Sequence, residues 1–184
     1  MLLKLTLALA ALPLVFAQAA DAQRPNFVFF LTVDQPYAGL GCTSDTGLRT
    51  PAMDQLAADG IFFENAFVTT AICCSSRASI LTGQHMRRHG IEDFHKPLSR
   101  EQLTQTFPAL LRQAGYRTAF VGKWHMGHAT DEPQPGFDHW ASFRGQGNYR
   151  KNDFNIDGKK QTIEGYVSDV ITDMAIDFMK SRRD

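Results

Sequence analysis

The residues best suited to chemistry lie in the run 73–83 (CCSSRASILTG). Cys73 carries a thiol that can serve as a nucleophile or a metal ligand once it loses its proton. Arg77 follows one helical turn later, so its guanidinium can bind an anion held beside Cys73. A helix is predicted to begin near Ser75, and the free N–H groups of a helix start also favour anions. The pattern is compatible with an anion site at the helix start, with a small buried cysteine at that position as the alternative.

A second group of polar residues, Lys123-Trp124-His125, begins about 50 residues after Cys73. It directly follows residues 116–122 (YRTAFVG), which predict a strand, so it lies at the carboxyl end of that strand. Lys123 can neutralise the charge of a bound anion, and His125 can take up a proton near neutral pH. An ordinary polar strand end is the alternative interpretation.

Asp34 follows the apolar run 26–33 (NFVFFLTV). Such a run predicts a strand covered on both faces, as in a parallel sheet. Ligands of open α/β sheets bind at the carboxyl ends of the strands, which is the expected position of Asp34. A role in ligand binding is one interpretation of Asp34, and an aspartate in a turn or helix cap is the alternative.

Together these motifs resemble the two signatures of the sulfatases. The first signature, Cys-x-Pro-Ser-Arg, is similar to residues 73–77 (CCSSR), with serine in the place of proline. The second, Gly-Lys-Trp-His-Leu-Gly, is similar to residues 122–127 (GKWHMG). In that family the cysteine is oxidised to formylglycine, an aldehyde that hydrates and becomes the nucleophile. The resemblance implies a catalytic group of Cys73, Arg77, Lys123 and His125, in which Lys123 and His125 also bind the substrate.

The resemblance also implies a bound calcium ion. Sulfatases usually begin with a strand that ends in Asp-Asp, and both carboxylates hold calcium. In this chain the second aspartate is Asp34, and Val33 occupies the place of the first. We therefore expect Asp34 and the group derived from Cys73 to be the metal ligands in this chain, with a lower affinity because one carboxylate is missing.

The elements that would position these residues alternate between strands and helices, which predicts an α/β sheet with helices on both faces. Helices are predicted after Thr50 and Thr106, each with proline in its first turn and glycine after its end. Residues 61–67 predict a short strand, residues 126–160 an irregular segment, and residues 163–178 an amphipathic helix. By resemblance this is an alkaline-phosphatase-like sandwich with a mostly parallel sheet, incomplete in this chain.

Residues 1–22 have the pattern of a cleaved secretory signal, with Lys4 ahead of an apolar core and small residues at the exit. The core of about 13 residues is shorter than the roughly 20 that span a bilayer, so a membrane anchor is the less favoured alternative. Residues 23–184 are then interpreted as the N-terminal portion of a sulfatase catalytic domain, truncated in this chain. We expect a secreted or periplasmic protein without stable membrane insertion.

Charge and cysteine content restrict the partners. The chain has 19 acidic and 19 basic residues, and this balance does not favour nucleic acid. It has three cysteines, of which the adjacent Cys73 and Cys74 are poorly placed to pair, so no disulfide framework is predicted. By resemblance, the expected partners are a sulfated small molecule or carbohydrate and, during maturation, the formylglycine-generating enzyme.

Two alternatives to a sulfuric ester hydrolase stay open from the sequence. A phosphate or phosphonate ester hydrolase of the same superfamily would use the same Cys-derived group, because all of these reactions transfer a tetrahedral anion. A non-catalytic, truncated sulfatase-like protein would fit the valine at position 33 and the serine at position 75.

Overall fold

The computed structural model describes residues 24–43, 47–128 and 130–181. The chain divides into two compact units, Met1–Phe63 and Glu64–Asp184, and each is described by itself. The predicted signal segment, residues 1–22, lies outside the described residues. Within the described ranges, no helix has both the length and the apolar character needed to cross a bilayer.

The N-terminal unit contains one long helix among its described residues, with two short 3-10 turns ahead of it. The turns are Tyr37–Gly39 and Gly41–Thr43, and helix α1 is Pro51–Asp59. α1 begins and ends as predicted, with Pro51 in its first turn and Gly60 at its C-terminal cap. The Thr50 hydroxyl makes no cap bond but accepts from the Gly41 N–H at 2.8 Å and donates to Asp54 at 2.9 Å. These bonds tie the helix start to the preceding turn.

The strand predicted for residues 26–33 is wrong. Residues 24–32 form neither helix nor strand, and Phe30 in this run is 75% exposed. The strand predicted for residues 61–67 is wrong as well. A buried strand needs neighbouring strands to bond its backbone and further layers to cover its faces. Among the described residues, the run 26–33 pairs with no strand, so its apolar composition alone did not produce one.

Helices α2 to α5 open the second unit and position the first motif. They are α2 (Cys73–Thr82), α3 (Met86–His89), α4 (Arg100–Thr104) and α5 (Phe107–Gln113). α4 begins with a capping box between Ser99 and Gln102. α5 agrees with the predicted helix after Thr106, with Pro108 in its first turn. α2 packs against α3 and α5, which anchors the first motif on a helix with two neighbours.

A four-stranded mixed sheet carries the second motif. Its strands are β1 (Ala119–Lys123), β2 (His139–Phe143), β3 (Lys151–Ile156) and β4 (Lys159–Glu164), in that spatial order. β1 and β2 are parallel, with Lys123 opposite Phe143, and the other two pairings are antiparallel. The described sheet therefore mixes both pairings and contains a larger antiparallel share than we predicted.

The irregular segment predicted for residues 126–160 is wrong, because it contains β2, β3 and the start of β4. Asp157 and Gly158 join β3 to β4, and their φ values of 49° and 87° are those of a two-residue type I′ turn. Asp-Gly is a strong hairpin signal. The glycine-rich and polar composition of residues 126–160 led us to predict an irregular segment and not this hairpin.

The core of the second unit joins α2 to the sheet. Cys74 and Ala78 of α2 are buried in one cluster with Trp124 and Trp140. Phe120 of β1 stacks on Trp140, with 4.8 Å between the ring centroids. Burial of such large aromatic surfaces is a dominant stabilising contribution. The cluster therefore fixes the start of α2 relative to the end of β1, where the two motifs lie.

The last helix, α6, is Val167–Lys180 and packs on β1 and β2. The prediction placed its start at Ile163, which instead lies in β4. The apolar periodicity does predict the helix, but Ile163, the first residue of the pattern, pairs within the β3–β4 hairpin.

Candidate active site

Cys73 is the first residue of helix α2. Ile72 precedes the helix in an extended conformation and supplies no side-chain cap. The first helical hydrogen bond runs from the Ser76 N–H to the Ile72 carbonyl oxygen at 2.8 Å. The N–H groups of residues 73–75 therefore precede any helical bond and carry the partial positive charge of the helix start.

The two adjacent cysteines lie in different environments. Cys73 is half-buried and its thiol forms no disulfide. Cys74 belongs to the core cluster and has 0% exposure. The alternative of a small buried cysteine therefore describes Cys74, whereas Cys73 stays accessible at the helix start.

Ser75, the residue in the place of the family's proline, is fully buried at 0% exposure. Its hydroxyl donates to the Ile91 carbonyl oxygen at 2.7 Å. Ile91 is itself buried, so this bond satisfies a backbone carbonyl of a residue at low dielectric. The serine thus ties the start of α2 to the segment after α3.

Two cations from different elements lie at Cys73. The Lys123 ammonium at the end of β1 is 3.7 Å from the Cys73 sulfur. Arg77 lies one turn along α2, and its Nη1 donates to the Lys123 backbone carbonyl oxygen at 2.6 Å. Burial lowers the pKa of Arg77 below its usual value, and the electrostatic interaction with Cys73 acts in the opposite direction. Guanidinium still remains charged at neutral pH, so two positive groups flank the helix start.

His125 lies two residues beyond Lys123 in a left-handed conformation, with a φ of 52°. Its ring stacks on Phe94 with 4.5 Å between centroids. The buried Nδ1 atom has no hydrogen-bond partner among the described residues. Burial lowers the pKa of His125, and the charges of Lys123 and Arg77 lower it further. The imidazole is therefore neutral near pH 7 and able to accept a proton.

Burial alternates along the second motif. Lys123 and His125 are half-buried, whereas Trp124 and Met126 are 2% and 1% exposed in the core cluster. Strand alternation ends with β1 at Lys123, and beyond it the left-handed backbone of His125 turns the chain, while Trp124 and Met126 on either side of it enter the core. The apolar residues thus anchor the segment and leave the two polar side chains outside the core cluster.

Gln146 is a site residue that the sequence analysis missed. Its Oε1 accepts a hydrogen bond from the Lys123 ammonium at 2.5 Å. It lies between Gly145 and Gly147, which both have positive φ. Glycines on both sides of one polar residue are a signal for a tight turn, but nothing in the sequence indicates what that turn faces.

Asp34 lies in the N-terminal unit, exposed at a bend with a φ of 60°. Its neighbour Val33 is 45% exposed and has no side-chain oxygen to offer a metal. Across the described residues, no three His, Cys, Asp or Glu side chains are grouped so as to hold a metal ion. Asp34 therefore offers one carboxylate toward the roughly six to eight oxygen ligands that calcium takes, and Val33 offers none.

His89 has a structural position. It is 3% exposed, and its Nδ1 accepts from the Ile91 N–H at 3.0 Å. The proton of the neutral ring therefore lies on Nε2, which is 3.0 Å from the Ser79 hydroxyl of α2. Burial lowers its pKa, partly offset by a hydrogen bond to the Ser75 backbone. His89 thus joins α3 to α2 as a neutral side chain.

Sequence comparison relates this chain to known proteins. The family model Sulfatase matches residues 25–184. The chain is 42% identical to the N-acetylglucosamine-6-O-sulfatase of Bacteroides thetaiotaomicron, over 97% of this chain and 32% of that protein. It is 32% identical to the human N-acetylglucosamine-6-sulfatase, over 90% of this chain and 33% of that protein. The chain thus spans about a third of the length of these relatives.

Structural comparison agrees with the sequence. The solved structure of BT4656 in complex with its substrate D-Glucosamine-2-N, 6-O-disulfate has a TM-score of 0.79 and 43% identity. The alignment covers 87% of this chain and 32% of that chain. The similarity confirms the predicted fold class, an alkaline-phosphatase-like α/β arrangement.

Proposed function

The chain belongs to the sulfatase family, and from that premise we propose that the protein hydrolyses a sulfate monoester at Cys73. The observation that carries this proposal is the 3.7 Å contact between the Lys123 ammonium and the Cys73 sulfur at the start of α2. A sulfate ester presents negative oxygens to any nucleophile, so attack on sulfur requires cations that are already in place. The helix start, Arg77 and Lys123 meet that requirement without rearrangement.

We propose that Cys73 is converted to formylglycine by a formylglycine-generating enzyme. The hydrated aldehyde would supply a hydroxyl nucleophile in the position of the thiol. Lys123 and Arg77 would bind the sulfate oxygens and keep them oriented. His125 would accept the proton from a hydroxyl of that hydrated aldehyde, because burial and the two cations keep the imidazole neutral.

The proposed substrate class is a 6-O-sulfated amino sugar. The Bacteroides and human relatives are N-acetylglucosamine-6-sulfatases, and the BT4656 structure contains a 6-O-sulfated glucosamine. We also propose export from the cytoplasm, in keeping with residues 1–22. A calcium ion is also proposed as the cofactor, with the Asp34 carboxylate as one of its oxygen ligands.

Mass spectrometry of the peptide containing Cys73, in full-length protein purified from its native host, tests the first step. Conversion to formylglycine lowers the mass by about 18 Da relative to cysteine. We expect this shift to be located at Cys73 and to be absent from Cys74. An unmodified Cys73 in that protein would overturn the proposed nucleophile.

The second test is hydrolysis of N-acetylglucosamine-6-sulfate by the full-length protein. Lys123→Ala should lower kcat by about 100- to 1000-fold, as the loss of one preorganised charge contact does in other active sites. Lys159→Ala is the matched control, because Lys159 is exposed on β4 and should leave kcat unchanged. Full activity in Lys123→Ala would contradict the proposed site.

A further inference from the structure

Gln146 touches the same ammonium that touches Cys73. The Lys123 Nζ atom lies 2.5 Å from Gln146 Oε1 and 3.7 Å from the Cys73 sulfur. A lysine side chain has four rotatable bonds and samples many rotamers unless its ammonium group is hydrogen-bonded. The Gln146 carbonyl is therefore what keeps the ammonium directed at the nucleophile position.

The loop around Gln146 is built to hold it there. Gly147 has a φ of 67°, and a Cβ added to it would lie 2.5 Å from the Phe143 ring and 2.7 Å from Asn152 Oδ1. Asn152 is 4% exposed, accepts from the Asn148 N–H at 2.6 Å and donates back to the Asn148 carbonyl. The buried end of β2 and the start of β3 thus fix the backbone on the C-terminal side of Gln146.

The side-chain amide of Gln146 also has N–H donors that no protein group uses among the described residues. Its Oε1 is engaged by Lys123, and within the described residues its Nε2 makes no hydrogen bond to protein. An amide whose oxygen accepts from a cation is polarised, so its N–H groups become better donors. The neutral amide adds donors beside Lys123 without cancelling its charge.

We propose that Gln146 is a further substrate-contacting residue, which positions Lys123 through Oε1 and donates from Nε2 to an oxygen of the bound sulfate group. This inference rests on the proposed sulfate-ester hydrolysis. The Gly145-Gln146-Gly147 turn then belongs to the anion site, and Gly147 allows the turn to pack closely against Phe143 and Asn152.

Binding of inorganic sulfate to the full-length protein, measured by calorimetry, tests the role of Gln146. Gln146→Met keeps the volume but loses acceptor and donors, and it should weaken sulfate binding several-fold. Gln146→Glu keeps an acceptor for Lys123 but adds a negative charge at the anion, and it should weaken binding by at least about tenfold. Gln161→Glu is the matched control, because Gln161 is exposed on β4 and the charge change is the same.

The melting temperature and the steady-state constants separate a role in binding from a role in folding. Gln146 is exposed, so both variants should melt within a few degrees of the wild type, whereas KM for N-acetylglucosamine-6-sulfate rises. Wild-type sulfate affinity and KM in both variants would overturn this inference and leave the sulfatase proposal standing. A wild-type protein that binds no sulfate and hydrolyses no sulfate ester would overturn both.

Discussion

Arg77 and Lys123 are joined by a side-chain-to-backbone hydrogen bond, in which Arg77 Nη1 donates to the Lys123 carbonyl oxygen at 2.6 Å. The residues are 46 positions apart and belong to α2 and β1. One guanidinium therefore fixes the end of the strand that presents Lys123, while its charge acts on the same anion site. The position of Lys123 depends on Arg77 through its backbone and on Gln146 through its ammonium.

Replacement of Arg77 by lysine should damage both stability and activity. Lysine keeps the charge but lacks the planar guanidinium whose Nη1 donates to the Lys123 carbonyl oxygen. The free energy of unfolding should therefore fall by about 1–3 kcal/mol. The measurements are urea unfolding and kcat/KM on a 6-sulfated amino sugar. Arg87→Lys, at an exposed position of α3, should change neither. Equal effects of the two substitutions would remove Arg77 from the site.

Ser75→Ala should destabilise the protein by about 1–3 kcal/mol, because it leaves the buried Ile91 carbonyl oxygen without its partner. Ser76→Ala makes the same chemical change one residue later on α2, at a position that is only partly buried, and should cost less. Urea unfolding of the two variants compares them directly. If Ser75→Ala is as stable as Ser76→Ala, the bond to Ile91 contributes nothing to folding.

Gly147→Ala should be far more harmful than Gly145→Ala. Both glycines have positive φ, of 67° and 57°, so alanine strains the backbone by about 1–2 kcal/mol at either position. Only at Gly147 does the new Cβ meet the Phe143 ring, at 2.5 Å, whereas at Gly145 nothing lies within 4 Å. The melting temperature and the affinity for sulfate should therefore both fall further in Gly147→Ala than in Gly145→Ala. Similar values in the two variants would contradict the close approach of the turn.

His89 should make stability depend on pH below neutrality. Burial lowers its pKa in the folded protein from the ordinary 6.5. As the pH falls through 6.5, the unfolded chain binds a proton that the folded ring does not. The free energy of unfolding should therefore decrease from pH 6.5 downward until the folded pKa is reached, and it should be restored as the pH rises.

Urea unfolding at about pH 5 and about pH 7 measures this contribution of His89. His89→Gln should flatten the pH dependence, even though it lowers stability overall. His85→Gln is the control, because it makes the same chemical change at an exposed histidine. An unchanged slope in His89→Gln would mean that the ring does not titrate differently on unfolding.

Val33→Asp in the full-length protein should raise the affinity for calcium by at least about tenfold, because it adds a second carboxylate beside Asp34. Calcium titration by calorimetry measures the change. Val68→Asp adds a carboxylate at another exposed valine and should have no effect. If calcium affinity is the same in Val33→Asp and the wild type, the proposed site does not include position 33.

Features that depend on residues close in the chain were predictable. The proline in the first turn and the glycine after the last residue gave α1 nearly its observed bounds, and Pro108 did the same for α5. The two motifs were recognisable because their spacing within one helix and one strand end is local. The Asp157-Gly158 turn was equally local, and it was missed only because the surrounding composition looked irregular.

The sequence by itself determined the residue types available for chemistry, the starts of α1 and α5, and the membership of the family. Only the tertiary structure decided that Lys123 is held between Cys73 and Gln146, and that the apolar run at residues 26–33 forms no strand. The physical reason is the range of the interactions. A cap or a turn is stabilised within a few residues, whereas a strand pairing or a contact across 50 residues depends on which distant segments pack beside it.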